Sequence, residues 1–232
     1  MASMNSLPLD DYIRVFAVNA LPVLFAITLH EAAHGYAARH YGDNTAWQAG
    51  RISLNPLRHI DLWGTILLPT MILLLSGSKF LFGYAKPVPV NFGQLRNPKR
   101  DMLWVAAAGP AMNLLMAVGW ALLFKYLYGT TGTSLAHSAD SFASTEFLLQ
   151  MSQAGISINI VLLVLNLIPL PPLDGGRIAV SLLPHKQAWQ FSRIEPYGFV
   201  ILLVLLFTGI LGRLMLPAID LVTHIIFSLL NF

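Results

Sequence analysis

The sequence predicts an all-α protein, a polytopic bundle of helices that cross a membrane. Of its 232 residues, 56% are hydrophobic and 11% are charged, and the mean hydropathy is +0.64. Soluble domains carry about 25% charged residues, so this composition is typical of an integral membrane protein. The apolar residues also form long runs, and a helix needs about 20 such residues to cross the hydrocarbon core. The runs cover residues 12–41, 62–82, 102–128, 147–170 and 197–211, and a weaker run covers residues 214–232.

These runs predict about five to six membrane segments in a single integral-membrane domain, residues 1–232. We expect residues 12–185 to hold the functional motifs and residues 197–232 to form C-terminal helices. The chain has no cysteine, which excludes disulfides, thiolate zinc ligands and a cysteine nucleophile. Its net charge of +3 is explained by basic loops that face an acidic membrane surface, so no nucleic-acid partner is expected. Residues 1–11 lack the pattern of a cleaved signal peptide, and we expect an uncleaved N-terminus.

The first run contains the sequence His30-Glu31-Ala32-Ala33-His34. Two histidines four residues apart share one face of a helix and can reach one zinc ion, while Glu31 lies beside the metal and can take a proton from water there. Ionisable residues inside a membrane segment indicate a functional site by default. The alternative is a pair of helix histidines hydrogen-bonded to neighbouring helices, with Glu31 as their partner.

The loop that follows the first apolar run contains a short segment with an alternating pattern. Residues 50–56 alternate polar and apolar side chains, which predicts a short β-hairpin-like loop near the active site. Such an edge could pair with an unwound substrate strand, although an ordinary surface hairpin fits the pattern as well. His59 and Asp61 are interpreted as loop residues, because no helical spacing connects them to the histidine pair.

Residues 62–82 either cross the membrane or enter it and return. If they cross, the 14 lysines and arginines divide nine to five between the two sides; if they are re-entrant, the division is eleven to three. Basic residues concentrate on the cytoplasmic side of membrane proteins, so the second division favours the re-entrant arrangement. The N-terminus is then outside, and the loops after Tyr41 and Leu170 are in the cytosol.

The third run contains Gly109-Pro110-Ala111-Met112-Asn113. The small residues around Gly109 allow a neighbouring helix to approach closely. Asn113 could stabilise an oxyanion or a substrate carbonyl, or it could simply make an interhelical hydrogen bond.

A catalytic zinc site needs three protein ligands, and the candidates for the third are His40 and Asp174. Ala37 stands where a chain-reversing glycine would be needed, so a continuous helix places His40 about 9 Å past His34 and about 240° round the axis. Asp174 follows three prolines and precedes two glycines at the end of the fourth apolar run. We expect an extended, polyproline-like path there and a carboxylate facing a polar cavity. The alternative is an interfacial turn in which Asp174 pairs with Arg177 or caps the following helix.

The combination of HExxH, GPxxN and NxxPxPPLDGGR resembles the site-2 protease family of intramembrane zinc metalloproteases, in a compact form without PDZ or CBS segments. The resemblance covers roughly residues 20–185. It implies that His30, His34 and Asp174 bind one Zn²⁺ ion and that Glu31 is the catalytic base. It also implies that the HExxH and LDGG helices run parallel, from outside toward the cytosol.

The expected function is hydrolysis of a peptide bond within or next to a transmembrane helix of a membrane-protein substrate, as in regulated intramembrane proteolysis. The alternative is a non-proteolytic membrane zinc-binding or transport protein, in which Glu31 would have no evident use. We expect a multi-pass protein of a prokaryotic plasma membrane, with an active site reached from the cytosolic side. Its substrate and its oligomeric state do not follow from the sequence.

Overall fold

A computed structural model of the chain describes residues 9–55, 67, 87–131 and 139–231. The elements within these residues are helical, and none of them is a strand. The helices are α1 (Leu9–His40), α2 (Thr45–Gln48), a 3₁₀ helix (Phe92–Gln94), α3 (Pro98–Thr131), α4 (Ala139–Asn166), α5 (Asp174–Leu182), α6 (His185–Ser192), α7 (Glu195–Phe207) and α8 (Ile210–Leu229).

Four of these helices are long and apolar enough to cross a membrane, and they lie in α1, α3, α4 and α8. Helices α6 and α7 are bent by 61° at a short break and count as a fifth span if they are taken together. The prediction of a membrane helix bundle is therefore confirmed. The apolar run at 197–211 is divided, because Gly209 has a φ of +73° and separates α7 from α8.

The side-chain contacts give the directions of the helices. Arg14 near the start of α1 pairs with Glu146 near the start of α4, so these two helices run parallel. Helix α3 runs opposite to both, since its first residues follow a segment in which Arg96 donates a backbone hydrogen bond to Tyr41, at the end of α1. The parallel arrangement of the HExxH and LDGG helices is thus confirmed.

The main apolar core lies between α3, α4, α7 and α8. Gly155 of α4 lies directly against the indole of Trp120 in α3, where a Cβ would overlap the ring. The buried members of this core are all apolar: Ala117, Ala121, Ile156, Ile160, Val164, Leu202, Leu211, Met215 and Ile226. This packing fixes α3 and α4 together and leaves their other faces to meet α1.

The predicted β-hairpin-like loop at 50–56 is not found, because residues 51–55 form no strand and Pro56 lies outside the described residues. Ser53 Oγ accepts a hydrogen bond from the backbone N–H of Asn55, at 3.1 Å. A local bond of this kind favours a turn over a strand ladder, so the alternating pattern did not produce a strand.

Apart from residue 67, the segment 62–82 that is predicted to be re-entrant lies outside the described residues. Its described flanks lie together, however: a Cβ at Gly35 of α1 would touch both Ile52 and Val88, at 2.9 and 3.2 Å. Asn91 N–H also donates to the Asp43 carboxylate, just past the end of α1, at 2.7 Å. The residues before and after this stretch therefore lie at the same end of the bundle.

Candidate metal centre

Helix α1 places His30 and His34 on the face that meets α3. Their rings are 4.7 Å apart and nearly perpendicular, and both residues are buried. The approach is possible because Gly109 of α3 lies beside them; a Cβ at this position would overlap both imidazoles. The small-residue surface predicted around Gly109 is thus the surface that accommodates the two histidines.

The hydrogen bonds of the two rings determine which nitrogen carries the proton. His34 Nδ1 lies 2.7 Å from the carbonyl oxygen of Val105, which can only accept, so Nδ1 is the donor. His30 Nδ1 donates in the same way to Asn113 Oδ1, at 2.6 Å. Each Nε2 therefore carries a lone pair, and the 3.1 Å between the two Nε2 atoms is not a hydrogen bond.

Asp174 reaches the histidines from the first turn of α5. Gly175 lies against the carbonyl oxygens of Leu167 and Ile168, and Gly176 lies against the backbone of Pro171; any side chain would collide there. The two glycines thus let α5 begin directly over the preceding turns, with Asp174 aimed at α1. The polyproline-like path expected before Asp174 is wrong, because the residues between α4 and α5 form turns closed by backbone bonds, including Leu173 N–H to Leu170.

Three ligand atoms converge at one point. Asp174 Oδ2 lies 3.3 Å from His30 Nε2 and 3.2 Å from His34 Nε2. A tetrahedral zinc ion bound at about 2.0–2.1 Å places its nitrogen and oxygen ligands about 3.3–3.4 Å apart. The triangle formed by the three atoms therefore has nearly the dimensions that zinc requires.

The charge distribution of the cluster also fits a metal. Asp174 Oδ2 is buried and accepts no hydrogen bond from the described residues. It faces two nitrogen lone pairs, and three electron-rich atoms at this spacing repel one another unless a cation lies between them. The three side chains together could hold one metal ion.

Glu31 is half-buried on the flank of α1. Its Oε2 accepts a hydrogen bond from the backbone N–H of Val88, at 2.7 Å. The segment that follows the region 56–86 therefore holds one oxygen of this carboxylate in place. The arrangement provides a carboxylate in a fixed orientation beside the histidine cluster.

Asn113 is fully buried and links α1 to α4. Its Oδ1 accepts from His30, while its Nδ2 donates to Asn159 Oδ1 at 3.0 Å and to the carbonyl of Ala26 at 3.4 Å. The N–H groups that would stabilise an oxyanion are thus directed to other protein atoms. Of the two interpretations of Asn113, this geometry supports the interhelical hydrogen bond, which is made with His30. The oxyanion role stays a prediction.

The other sequence candidates lie elsewhere. His40 is exposed at the end of α1, against the ring of Tyr41. His59 and Asp61 lie outside the described residues. Arg177 does not form an ion pair with Asp174; its guanidinium lies over the ring of Phe92 instead. Among the described residues, no side chain caps the start of α5 by a hydrogen bond. Asp174 therefore neither pairs with Arg177 nor caps the following helix, and both alternatives for it are wrong.

Sequence reasoning missed Asn159 and Val88. Asn159 is a polar residue inside the apolar helix that ends at Asn166. A polar residue within a membrane span indicates a partner or a function, so this signal was available in the sequence. The contact of Val88 with Glu31 uses only a backbone N–H, for which side-chain identity provides no signal.

The comparisons with known proteins agree with one another. The model of a family described as Peptidase family M50 matches residues 18–209. YwhC of Bacillus subtilis, named as a zinc metalloprotease, is 36% identical over 202 residues, which cover 86% of this chain and 84% of YwhC. Rip2 of Mycolicibacterium smegmatis, named in the same way, is 32% identical over 204 residues, covering 88% of this chain and 71% of Rip2. No solved structure matches the chain.

Proposed function

The chain belongs to peptidase family M50, the site-2 protease family, and is a zinc metalloprotease of the membrane; we propose that it cleaves peptide bonds within or next to transmembrane helices of its substrates. In this proposal His30, His34 and Asp174 are the zinc ligands and Glu31 is the general base. The observation that carries the assignment is the convergence of Asp174 Oδ2 and the two Nε2 atoms within 3.3 Å of one another.

Both proposed histidine ligands are oriented by atoms of the chain itself. Val105 and Asn113 hold the Nδ1 protons of the histidines, so both Nε2 lone pairs face the metal position. When bound, zinc would supply a Lewis acid that polarises the scissile carbonyl and makes water acidic enough to attack it. Glu31 accepts the proton of that water and returns it to the leaving amine. Because Val88 holds its Oε2, the other oxygen of Glu31 is available for this transfer.

The depth of the site supports a substrate within the membrane. His34 and His30 lie about 9 and 15 Å before the end of α1 at His40, so both lie within the span Ile13–His40. A helical substrate must unwind locally to react, because the backbone hydrogen bonds of a helix shield its carbonyls. Regulated intramembrane proteolysis would follow if cleavage releases part of such a substrate.

We also propose that the site is reached from the cytosolic side of a prokaryotic plasma membrane. The eleven-to-three division of basic residues supports this orientation, as do the described flanks of residues 56–86 at one end of the bundle. Single cysteines at Arg51 and Arg96, introduced into this cysteine-free chain, should react with an impermeant reagent from the cytosolic side. Reaction from opposite sides would contradict the re-entrant arrangement.

The alternative, a membrane zinc-binding or transport protein, is disfavoured by Glu31. A binding site does not require a fixed carboxylate beside its first ligand, whereas hydrolysis requires a base there. The family to which the chain belongs is also one of peptidases.

The test compares the purified wild-type chain with Glu31→Gln, using transmembrane model peptides in detergent and measuring zinc content. Loss of a general base typically lowers the rate by about 10²–10⁴-fold, so cleavage should fall at least a hundredfold while one zinc per chain remains. Glu195→Gln makes the same chemical change at an exposed position in α7 and should leave cleavage unchanged. Turnover retained in Glu31→Gln would refute the assignment of the base. Cleavage of soluble peptides alone would refute the substrate class.

A further inference from the structure

Helix α8 carries ionisable side chains on the face that points away from the protein. Asp220 and His224 are one turn apart and both are exposed. The buried residues of this helix, Leu211, Met215 and Ile226, lie on the opposite face and pack into the main core. Asp220 and His224 therefore face the surroundings of the bundle rather than its interior.

Their surroundings are the membrane. Helix α8 contains one of the four candidate spans, Ile210–Leu229, and its 20 residues extend about 30 Å, the thickness of the hydrocarbon core. Asp220 is in the middle of that length, and His224 is about 6 Å further along. Large exposed apolar side chains flank them on the same helix: Leu214, Leu216, Leu221, Ile225 and Leu229.

Within the part of the chain that the structure describes, the side chains of Asp220 and His224 form no hydrogen bond or ion pair. Ionisable groups at this depth are costly in lipid and are normally paired with one another or with a neighbouring helix. Arg213 shares the same face but lies in the first turn of α8, where its long side chain can extend to the membrane surface. The pair at 220 and 224 has no comparable route to water.

We propose that the Asp220–His224 face of α8 binds a second copy of this chain. All copies of a membrane protein are inserted in the same orientation, so two α8 helices related by a two-fold axis run parallel. In that arrangement Asp220 of each copy lies one turn from His224 of the other, within reach of a hydrogen bond. The face is therefore complementary to itself, as a two-fold interface requires, and two equivalent pairs form at once. A polar pair between membrane helices stabilises their association in this way.

The first experiment uses the full chain in lipid vesicles and a single cysteine, Ser228→Cys, one turn after His224 on the same exposed face. The chain has no cysteine of its own, so any oxidative cross-link reports this position. A dimer band should persist as the lipid-to-protein ratio rises. Leu122→Cys, on the lipid-exposed surface of α3, is the matched control and should cross-link only through random collisions. Equal cross-linking of both variants would overturn the proposal, and so would the absence of a dimer.

The second experiment exchanges the two residues within the Ser228→Cys chain. Asp220→His and His224→Asp each place like groups against one another and should weaken dimer formation about tenfold. The double exchange restores one acid and one imidazole in each pair and should restore the dimer. Zinc content shows which variants are folded; if a single exchange fails this check, Asp220→Asn and His224→Gln provide milder tests in the same direction. Single variants that dimerise like the parent, or a double variant that does not recover, would overturn the pairing.

Discussion

The metal centre and the outer face of α8 both place polar groups at membrane depth, but they differ in where their partners are. At the metal centre, the protons of His30 and His34 are accepted by Asn113 and Val105, and Asn113 is bonded in turn to Asn159. On α8, Asp220 and His224 are exposed and have no partner among the described residues.

The difference shows two ways in which a membrane protein can accommodate polarity. A buried group is satisfied by helices of the same chain, and small residues such as Gly109 make the required contact possible. A group on the outer face needs a partner from outside the chain, because lipid tails offer no hydrogen bonds. The first arrangement serves chemistry and the second serves association, and the following variants test this division.

The largest effect within the metal centre is expected from Asp174, the proposed third ligand. Asp174→Ala should lower zinc affinity and cleavage at least 10–100-fold, which is the typical cost of losing even an outer-shell partner of a metal site. His40→Ala should leave both nearly unchanged, since His40 is exposed at the end of α1. Zinc content after dialysis against a chelator measures the difference. If the His40 variant lost its zinc and the Asp174 variant kept it, the ligand assignment would be reversed.

The second prediction concerns the close approach of α3 to the histidines. Gly109→Ala introduces a Cβ that overlaps both imidazoles, and overpacking of this kind costs about 1–3 kcal/mol. Zinc affinity should therefore fall about tenfold. Gly119→Ala makes the same change in the same helix, where a Cβ would meet nothing, and should be neutral or slightly stabilising. Zinc titration and thermal unfolding of both variants provide the comparison, and equal behaviour would contradict the tight contact.

The next effect is expected from the asparagines that orient His30. Asn113→Ala removes the acceptor of the Nδ1 proton, so zinc affinity should fall about tenfold, the lower end of the 10–100-fold range that is typical of an outer-shell partner. Asn159→Ala acts only through Asn113 and should have a smaller effect in the same direction. The readout is the zinc dissociation constant with Glu31 intact. A larger loss from the Asn159 variant than from the Asn113 variant would contradict this order.

The smallest effect on the metal centre should come from α8. Asp220→Asn lies on the outer face of the bundle, so zinc affinity and cleavage of a detergent-solubilised peptide should change less than about twofold. A loss comparable to that of Asn113→Ala would show that the outer face of α8 and the metal centre are coupled, and that the two regions do not act separately.

The membrane class and the meeting of His30, His34 and Asp174 in one cluster were predictable from the sequence, whereas their roles as zinc ligands stay a prediction. Hydropathy reports the solvent of each segment directly, and the spacing of His30 and His34 determines that they share a helix face. The elimination of His40 used the same helical geometry, and His40 is exposed at the end of α1. The two C-terminal helices were also predictable, but the break between them lies at Gly209 rather than after residue 211, because hydropathy does not reveal that Gly209 adopts a left-handed conformation.

What the sequence alone determined is therefore local: which segments are apolar, which residues share a helix face, and where the chain must break. Only the tertiary structure decided that Gly109 admits the imidazoles, that Asn159 supports Asn113, and that Val88 holds Glu31. It likewise decided that Asp220 and His224 face outward, since either side of an apolar helix could have packed against the bundle. These contacts join residues far apart in the chain, and their existence depends on helix packing rather than on any local pattern of residues.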